Sequence, residues 1–350
     1  MKTERRTLSL SKPDDLKLLW VGGEGGMEAE LVKRQGIPFA TIPAAGVHGV
    51  GPKQLPRNLS LLTRGVWASR HILKAFRPDV LFFTGGYVAV PMAVAGWRVP
   101  TLLHVPDIEP GLALKTLARL ADRITVTTES SRKYFPARGD VIITGYPVRS
   151  GLTKWNRLSA YKKMKLWEGL PVLLVFGGSK GASTINNALL SNLPTLLEKC
   201  QIIHISGELN WPTVKAVQEN LPTKQANRYH AFPYLHEEMG AALAAADLVL
   251  SRAGASTLGE FPFFGLPAIL VPYPHAWRYQ KINADYLAQR GAAIVIEDAR
   301  LKNELLPVVS ALLENPVKRG AMCAAMRNLA HPQAAAAIAN QLLALARMKG

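Results

Sequence analysis

Two glycine-containing turns carry residue types that could bind a phosphorylated ligand. The first follows the apolar run LLVF and reads GGSKGA, residues 177–182, before a helix-prone segment. Glycines let the backbone approach a ligand, and the helix-start amides, the Ser179 hydroxyl and the Lys180 ammonium would converge on one anion. The spacing matches neither a Walker loop nor a dinucleotide fingerprint. The turn therefore predicts a different diphosphate site, formed by Gly178, Ser179, Lys180 and Gly181, or an ordinary strand-to-helix turn.

The second turn, SRAGASTLGE, spans residues 251–260 after the apolar run DLVL. Its predicted helix start would offer amides and the hydroxyls of Ser256 and Thr257 to a phosphate. Glu260 falls one to two turns into that predicted helix, where a carboxylate could accept two sugar hydroxyls. Taken alone, Glu260 also fits an ordinary surface acid.

A third segment, YPHAWRYQKINAD at residues 273–285, follows another apolar run. Gln280 and Asn283 are three residues apart and share a helix face, so their amides could bind hydroxyls or an N-acetyl group. A plain helix start would explain the same residues.

The elements that position these turns are apolar runs alternating with amphipathic segments. Val/Ile/Leu runs bounded by glycine or proline are typical of parallel strands covered on both faces by helices. The sequence predicts such strands in VLFFTGG (80–86), PTLLHV (100–105), RITVTT (123–128), DVIITGY (140–146), PVLLVFGGS (171–179), QIIHISG (201–207), ADLVLSRAG (246–254), PAILVPYP (267–274) and AAIVIED (292–298). The fold class is therefore a parallel α/β architecture with ligands at the carboxyl ends of the strands.

The predicted organisation is two domains, because 350 residues exceed one core of ordinary size. We expect an N-terminal domain at 1–148 and a Lys-rich, Trp-containing linker at 149–170. A C-terminal domain at 171–330 and a final amphipathic helix at 331–350 complete the chain.

The formal net charge of +17 implies an anionic partner. Residues 51–100 hold seven Lys or Arg against one acid, whereas residues 201–250 hold three against five, so the excess is local. No nucleic-acid-binding motif is found, and we expect no nucleic-acid partner. The sequence has no membrane-spanning run and no signal-peptide core, which predicts a cytoplasmic protein. Cys200 and Cys323 lack metal-ligand spacing and are predicted to be two buried thiols.

In this order, TGGYVAVP, GGSKGA, SRAGASTLGE and H-x-x-x-Q-x-x-NA resemble the MurG family of bacterial peptidoglycan glycosyltransferases, glycosyltransferase family 28. The resemblance covers roughly residues 16–345. It implies the GT-B fold, two Rossmann-like parallel-sheet domains facing a cleft. It also implies inverting transfer of N-acetylglucosamine (GlcNAc) from UDP-GlcNAc to lipid I, the undecaprenyl-diphosphate-linked acceptor, at its muramyl 4-hydroxyl. The product is lipid II, and the reaction needs no metal or other cofactor.

The resemblance also assigns roles in the donor site. Ser179 with its loop neighbours, Ser256 and Thr257 are expected to face the donor diphosphate. Glu260 is expected to bind the ribose hydroxyls, and Gln280 the sugar. The remaining contacts are Leu235 or His236 of FPYLHEEMGAAL at the uracil, and Arg149 of GYPVR, which could reach a phosphate at the domain junction.

Two segments depart from the family pattern. The family begins with a strand and a Gly-Gly-Thr-Gly-Gly-His loop, whereas LLWVGGEGGMEAELV resembles its second unit. The N-terminal domain is therefore expected to lack its first βα unit, because the true start lies upstream or because the sheet lacks a strand. The family's His-Glu-Gln-Asn loop reads HVPDIEPG here, residues 104–111. The candidates for the general base are Asp107, Glu109, His104 and His48, in that order, and no metal is expected.

Residues 58–76, NLSLLTRGVWASRHILKAF, combine apolar residues with Arg64, Arg70 and Lys74. This pattern suits an anionic membrane interface or a buried crossover helix with a basic outer face. With a lipid-linked acceptor, it predicts a peripheral protein at the cytoplasmic face of the membrane. Two alternatives remain: a UDP-sugar transferase with another acceptor such as diacylglycerol, and a pseudoenzyme that binds UDP-sugars without transfer.

Overall fold

The computed structural model of the protein describes residues 16–26, 28–46, 51, 53–135, 140–178, 181–275 and 279–348. The chain forms two compact units. Unit 1 comprises the described parts of 1–105, 110–143 and 336–350, and unit 2 comprises 106–109 and the described parts of 144–335.

All strand pairs in both units are parallel, as the apolar runs predict. The strands are β1 Trp20–Gly23, β2 Phe39–Ile42, β3 Leu81–Phe83, β4 Thr101–Val105, β5 Arg123–Val126, β6 Val141–Ile143, β7 Val172–Phe176, β8 Gln201–Ile205, β9 Tyr229–Phe232, β10 Leu248–Ser251, β11 Ala268–Leu270 and β12 Ala293–Val295. Each of the nine predicted runs contains one of these strands, so the parallel α/β prediction is confirmed.

Helices connect the strands and cover the sheets. They are α1 Glu28–Arg34, α2 Leu55–Phe76, α3 Ala89–Ala95, α4 Leu112–Leu117, α5 Ser150–Thr153, α6 Arg157–Met164, α7 Ser183–Lys199, α8 Trp211–Glu219, α9 Thr223–Ala226, α10 Met239–Ala245, α11 Glu260–Phe264, α12 Tyr279–Gln289, α13 Leu301–Leu313, α14 Pro316–Arg327 and α15 Ala334–Arg347. In α7 the buried residues recur at helical spacing, at Ile185, Leu189, Leu193 and Leu196, because one face packs on the sheet and on α13.

Unit 2 is built on a six-stranded sheet in the order β12-β11-β10-β7-β8-β9. If these strands are renumbered 1–6 in chain order and the sheet is read from β9 to β12, the order is 3-2-1-4-5-6, which is that of the Rossmann fold. The central strand β7 is buried from Val172 to Val175, as expected for a strand covered by helices on both faces. The strand order reverses between β7 and β10, and ligands bind at the carboxyl edge of such a reversal.

Unit 1 contains a four-stranded sheet, β3-β4-β5-β6, and a separate two-stranded sheet, β1-β2. Among the described residues, β1 and β3 are not joined by sheet hydrogen bonds. Trp20 of β1 and Phe82 of β3 are exposed. The predicted loss of the first βα unit concerns residues before Leu16, which lie outside the described residues.

The compact units differ from the predicted domain boundaries in three places. The segment 106–109 is part of unit 2, and unit 2 resumes at Thr144. The predicted linker 149–170 contains α5 and α6, which pack against α10 and so form part of unit 2. Most of α15 lies in unit 1, where Ile338 and Leu345 pack against Leu102 of β4.

Candidate functional site

The two glycine-containing turns lie side by side at the carboxyl edge of the unit 2 sheet. Strands β7 and β10 are hydrogen-bonded neighbours, and their last residues, Phe176 and Ser251, are register partners. The turn after β7 and the turn after β10 therefore begin at the same level of the sheet. This edge is the reversal point at which an α/β sheet of this order binds its ligand.

The turn after β7 has a backbone that requires glycine. Gly178 and Gly181 have φ angles of +98° and +77°, and the Gly181 amide donates to the Gly178 carbonyl at 2.9 Å. A Cβ atom at Gly181 would lie 2.3 Å from the Ser206 carbonyl oxygen, so the turn packs directly on the loop after β8. Ser179 and Lys180, predicted to contact the diphosphate, lie outside the described residues.

The turn after β10 forms a short 3-10 helix, Ala255–Leu258, where the sequence predicted the start of an α-helix. The Thr257 hydroxyl is buried and donates to the Gly254 carbonyl oxygen at 2.7 Å. The Thr257 amide also donates to the Gly254 carbonyl oxygen, at 3.0 Å, so both groups stabilise their own turn. A contact between Thr257 and the diphosphate stays a prediction. The Ser256 residue is half-buried.

Glu260 is the first residue of α11, rather than one to two turns into a helix as predicted, and is only 8% exposed. It is therefore not an ordinary surface acid. Burial raises the pKa of the Glu260 carboxyl group, and the Arg149 guanidinium, 4.0 Å away, opposes that shift. Arg149 is the N-cap residue of α5 and is largely exposed.

Tyr146 also belongs to this site, although its role was not predicted from the sequence. A Cβ atom at Gly259 would lie 2.6 Å from its ring, so the tyrosine packs directly against the backbone that precedes Glu260. Burial and the nearby Glu260 carboxylate raise the pKa of Tyr146 to about 12. Its place in GYPVR, three residues before Arg149, was the available signal.

The two amides of α12 have different environments. The Gln280 Oε1 atom accepts a hydrogen bond from the Tyr273 amide at 2.8 Å, so a ligand would meet the Nε2 group. Asn283 is fully buried; its Nδ2 donates to Asp107 Oδ1 at 2.8 Å and to the Ala253 carbonyl at 3.2 Å. Its Oδ1 accepts from the Ile108 amide. The prediction that Asn283 binds the sugar is therefore corrected, because its amide holds segment 106–109 on unit 2.

The loop after β9 holds the predicted uracil contacts. Leu235 is half-buried and His236 is exposed, and the His236 ring lies edge-on to the Tyr234 ring, with centroids 4.7 Å apart. This loop follows a strand of the same sheet, at the carboxyl edge that carries the two turns.

The candidate bases fall in both units. In unit 2, Asp107 is half-buried, and burial raises its pKa while the hydrogen bond from Asn283 opposes the shift. Glu109 is buried. In unit 1, His104 is buried with its Nδ1 atom 3.1 Å from the Thr125 hydroxyl, and burial lowers its pKa to about 4. His48 lies outside the described residues. Within the described ranges, no group of three or more His, Cys, Asp or Glu could hold a metal ion.

Comparison with known families gives matches across both units. The model described as "Glycosyltransferase family 28 N-terminal domain" matches residues 10–126. The model described as "Glycosyltransferase family 28 C-terminal domain" matches residues 172–341. Together they span more than half of the chain.

Curated relatives are similar over nearly the whole chain. One is the UDP-N-acetylglucosamine--N-acetylmuramyl-(pentapeptide) pyrophosphoryl-undecaprenol N-acetylglucosamine transferase of Roseiflexus sp. (strain RS-1), 40% identical over 374 residues, covering 95% of this chain and 85% of the relative. The identically named protein of Desulforudis audaxviator (strain MP104C) is 39% identical, covering 91% and 88% of the two chains.

Solved structures agree with these sequence matches. The crystal structure of Acinetobacter baumannii MurG superposes with a TM-score of 0.71 at 26% identity, covering 93% of this chain and 91% of that one. UDP-GlcNAc 2-epimerase from Neisseria meningitidis, bound to UDP-GlcNAc, superposes with a TM-score of 0.62 at 15% identity, covering 93% and 91%. At that identity the second likeness concerns the fold alone.

Proposed function

Because the chain belongs to glycosyltransferase family 28, we propose that it transfers GlcNAc from UDP-GlcNAc to N-acetylmuramyl-(pentapeptide) pyrophosphoryl-undecaprenol, the reaction for which its relatives are named. The acceptor is lipid I and the product is lipid II, a precursor of peptidoglycan. The observation that carries this proposal is the 40% identity over 95% of the chain to a transferase of that name.

We propose that residues at the carboxyl edge of the unit 2 sheet bind the donor. Amides of the turn after β7 and of the turn after β10, together with Ser179, Lys180 and Ser256, bind the diphosphate. The buried Glu260 carboxylate accepts hydrogen bonds from the ribose hydroxyls. Its environment has a low dielectric constant, in which such hydrogen bonds are strong. Arg149 reaches a phosphate, Gln280 Nε2 donates to the sugar, and the backbone at Leu235 or His236 binds the uracil.

For the chemical step we propose a single displacement with inversion. The muramyl 4-hydroxyl oxygen bonds to C1 of GlcNAc, the bond from C1 to the phosphate oxygen breaks, and UDP leaves with the electron pair. The hydroxyl proton passes to the Asp107 carboxylate. Asp107 suits this role better than buried Glu109 or His104, because it is partly accessible and Asn283 fixes one of its oxygens. Burial moves the pKa of Asp107 towards neutral pH, and a general base is most effective when its pKa lies near the working pH.

The test is an assay with radiolabelled UDP-GlcNAc and a lipid I analogue, run beside a diacylglycerol acceptor. We expect label on the lipid I analogue only, and loss of most transfer in Asp107→Ala with UDP binding retained. Transfer of label to diacylglycerol instead would show a different acceptor and contradict the assignment of lipid I. UDP binding without transfer to either acceptor would leave a UDP-sugar-binding protein and contradict the enzyme proposal.

We also propose that unit 1 carries the membrane-binding surface, at helix α2. Its apolar residues Leu62, Val66, Leu73 and Phe76 are half-buried, and Gly65 packs directly on Pro43 and Pro91. Most of the apolar face is therefore turned inward, but Trp67 is 66% exposed beside the exposed Arg64, Arg70 and Lys74. None of the described helices is both long and apolar enough to cross a membrane. An exposed tryptophan among cations suits peripheral binding to an anionic leaflet.

Sedimentation with vesicles containing anionic lipid tests this surface. We expect binding that falls as salt is raised, because a cation near an anionic surface contributes about 1 kcal/mol that salt screens. Trp67→Ala should lower the bound fraction several-fold. Leu209→Ala, which removes an apolar side chain of unit 2 that is 80% exposed, is the control and should change nothing. Salt-insensitive binding, or equal effects of both variants, would contradict the assignment.

A further inference from the structure

Arg252, the residue directly after β10, forms a closed ring of polar contacts with Asp298 and Thr184. Its Nη1 atom lies 2.5 Å from Asp298 Oδ1, and its Nη2 donates to the Thr184 hydroxyl at 2.8 Å. The same hydroxyl donates to Asp298 Oδ1 at 2.8 Å, which closes the ring. The charged side chains are 10% and 15% exposed, so solvent screens this pair much less than a surface ion pair.

The ring and the further contacts of Arg252 connect the segments that follow four neighbouring strands, at the carboxyl edge of the unit 2 sheet. Thr184 is the second residue of α7 and follows the turn after β7, and Asp298 follows β12. Arg252 Nη1 also donates to the Val271 carbonyl at 3.1 Å, directly after β11. Its guanidinium lies 5.3 Å from the centroid of the Tyr273 ring, and the Tyr273 amide is held by Gln280. The Arg252 guanidinium, in the loop after β10, therefore contacts the first turn of α7 and the loops after β11 and β12.

We infer that Arg252 and Asp298 are positioning residues for the donor nucleotide-sugar, an inference that rests on the proposed function. The residues proposed to bind the diphosphate and the sugar lie in or next to these segments. They are in the turn after β7, which precedes α7, in the turn after β10, and in α12, which follows the loop after β11. A shift of one loop against another would separate groups that must meet the same ligand. A planar, multidentate cation fixes their relative positions better than separate hydrogen bonds would.

The opposite edge of the same sheet supplies a second arginine–aspartate ion pair for comparison, with more exposed side chains, 51% and 26%. Arg157 Nη2 lies 3.0 Å from Asp247 Oδ2, and the same oxygen accepts from the Val172 amide at 2.8 Å. Arg157 also donates to the Ala245 carbonyl at 3.2 Å. This second ion pair ties the starts of β7 and β10 together but contacts none of the donor-site loops. Its loss should affect stability without affecting ligand binding.

The experiment compares Arg252→Met with Arg157→Met by melting temperature, calorimetric UDP dissociation constant, and separate KM and kcat for UDP-GlcNAc. We expect both variants to melt earlier. Arg252→Met should raise the UDP dissociation constant and KM about tenfold, the scale of a lost charge-assisted contact, with a smaller change in kcat. Arg252→Lys, which keeps the charge but not the planar fork, should recover only part of the affinity. Arg157→Met should bind UDP within about twofold of the parent.

The outcomes separate the inference from the proposed function. If the parent binds UDP-GlcNAc and Arg252→Met binds it equally well, or if Arg157→Met weakens binding as much, the positioning role is overturned. Should Arg252→Met fail to fold, Thr184→Val removes one hydroxyl from the ring and is expected to raise the dissociation constant about threefold. An unchanged dissociation constant in Thr184→Val would also overturn the positioning role. A parent protein that binds no UDP-GlcNAc contradicts the proposed function itself.

Discussion

Replacing Glu260 by glutamine is expected to weaken UDP-GlcNAc binding by about 1.5–3 kcal/mol, about ten- to hundredfold in the dissociation constant. The carboxylate is buried, with Arg149 as its nearest charged partner at 4.0 Å, and can accept from two hydroxyls at once. Glutamine has nearly the same shape but offers one neutral acceptor. Calorimetric titration of UDP into the parent and the variant measures the difference directly.

Glu219→Gln is the matched control for this substitution. Glu219 lies at the end of α8, largely exposed, and pairs with Lys215 at 3.7 Å, so its neutralisation should leave UDP binding unchanged. Equal dissociation constants for the parent and Glu260→Gln would show that the buried carboxylate does not contact the nucleotide.

The pH dependence gives the same prediction a second readout. Burial raises the pKa of the Glu260 carboxyl group above its usual value, so the group takes up a proton at a higher pH than an exposed glutamate. Only the ionised form accepts from both hydroxyls, and UDP binding is therefore expected to weaken as the pH falls through that raised pKa. In Glu260→Gln this part of the pH dependence should be absent.

Stability should move in the opposite direction from binding. Because the folded pKa of Glu260 lies above the unfolded one, folding is favoured by protonation, and the ionised carboxylate costs stability at pH values above its raised pKa. We therefore expect Glu260→Gln to be at least as stable as the parent at neutral pH while it binds UDP less tightly. A buried acid kept at a cost in stability is typical of a binding site rather than of a core.

The strands that were predicted from the sequence are those rich in Val, Ile and Leu. All nine predicted runs contain strands, because parallel strands covered on both faces are rich in Val, Ile and Leu, and that enrichment is visible in the sequence. Strands β2, FATI, and β9, YHAF, were missed because neither contains a run of Val, Ile or Leu: the first has one such residue and the second has none. In β9 the alternation of buried and half-buried residues marks a strand with one better covered face.

The candidate site was predictable at the level of turns but not of side-chain partners. Glycine spacing after an apolar run indicates where the backbone must turn, and the observed φ angles of Gly178 and Gly181 agree with that reading. The partners of Asn283 depend on Asp107, 176 residues earlier in the chain, and no local pattern records this contact. The ring around Arg252 joins Thr184 and Asp298, 68 and 46 residues away, for the same reason.

Replacing Gly181 by alanine is expected to abolish measurable UDP binding or to weaken it more than tenfold. The added Cβ would lie 2.3 Å from the Ser206 carbonyl oxygen, a backbone atom that cannot rotate away. The turn after β7 must then move, and with it the amides proposed to hold the diphosphate. Strain of this kind costs about 1–3 kcal/mol, so the variant should also melt earlier. Calorimetric titration and thermal melting measure both effects.

Gly291→Ala separates the two reasons for which glycine occurs in such a turn. Gly291 follows α12 with φ +71°, close to the +77° of Gly181, but an added Cβ there would meet nothing within 4 Å. Both variants place a Cβ atom on a residue in the left-handed region, which costs about 1 kcal/mol of stability. Only Gly181→Ala adds the collision with the Ser206 carbonyl oxygen. If close packing of the turn on the β8 loop positions the diphosphate amides, Gly291→Ala should lose stability alone, whereas Gly181→Ala should lose UDP binding as well. Equal UDP affinity in the two variants would show that the ligand does not depend on this turn.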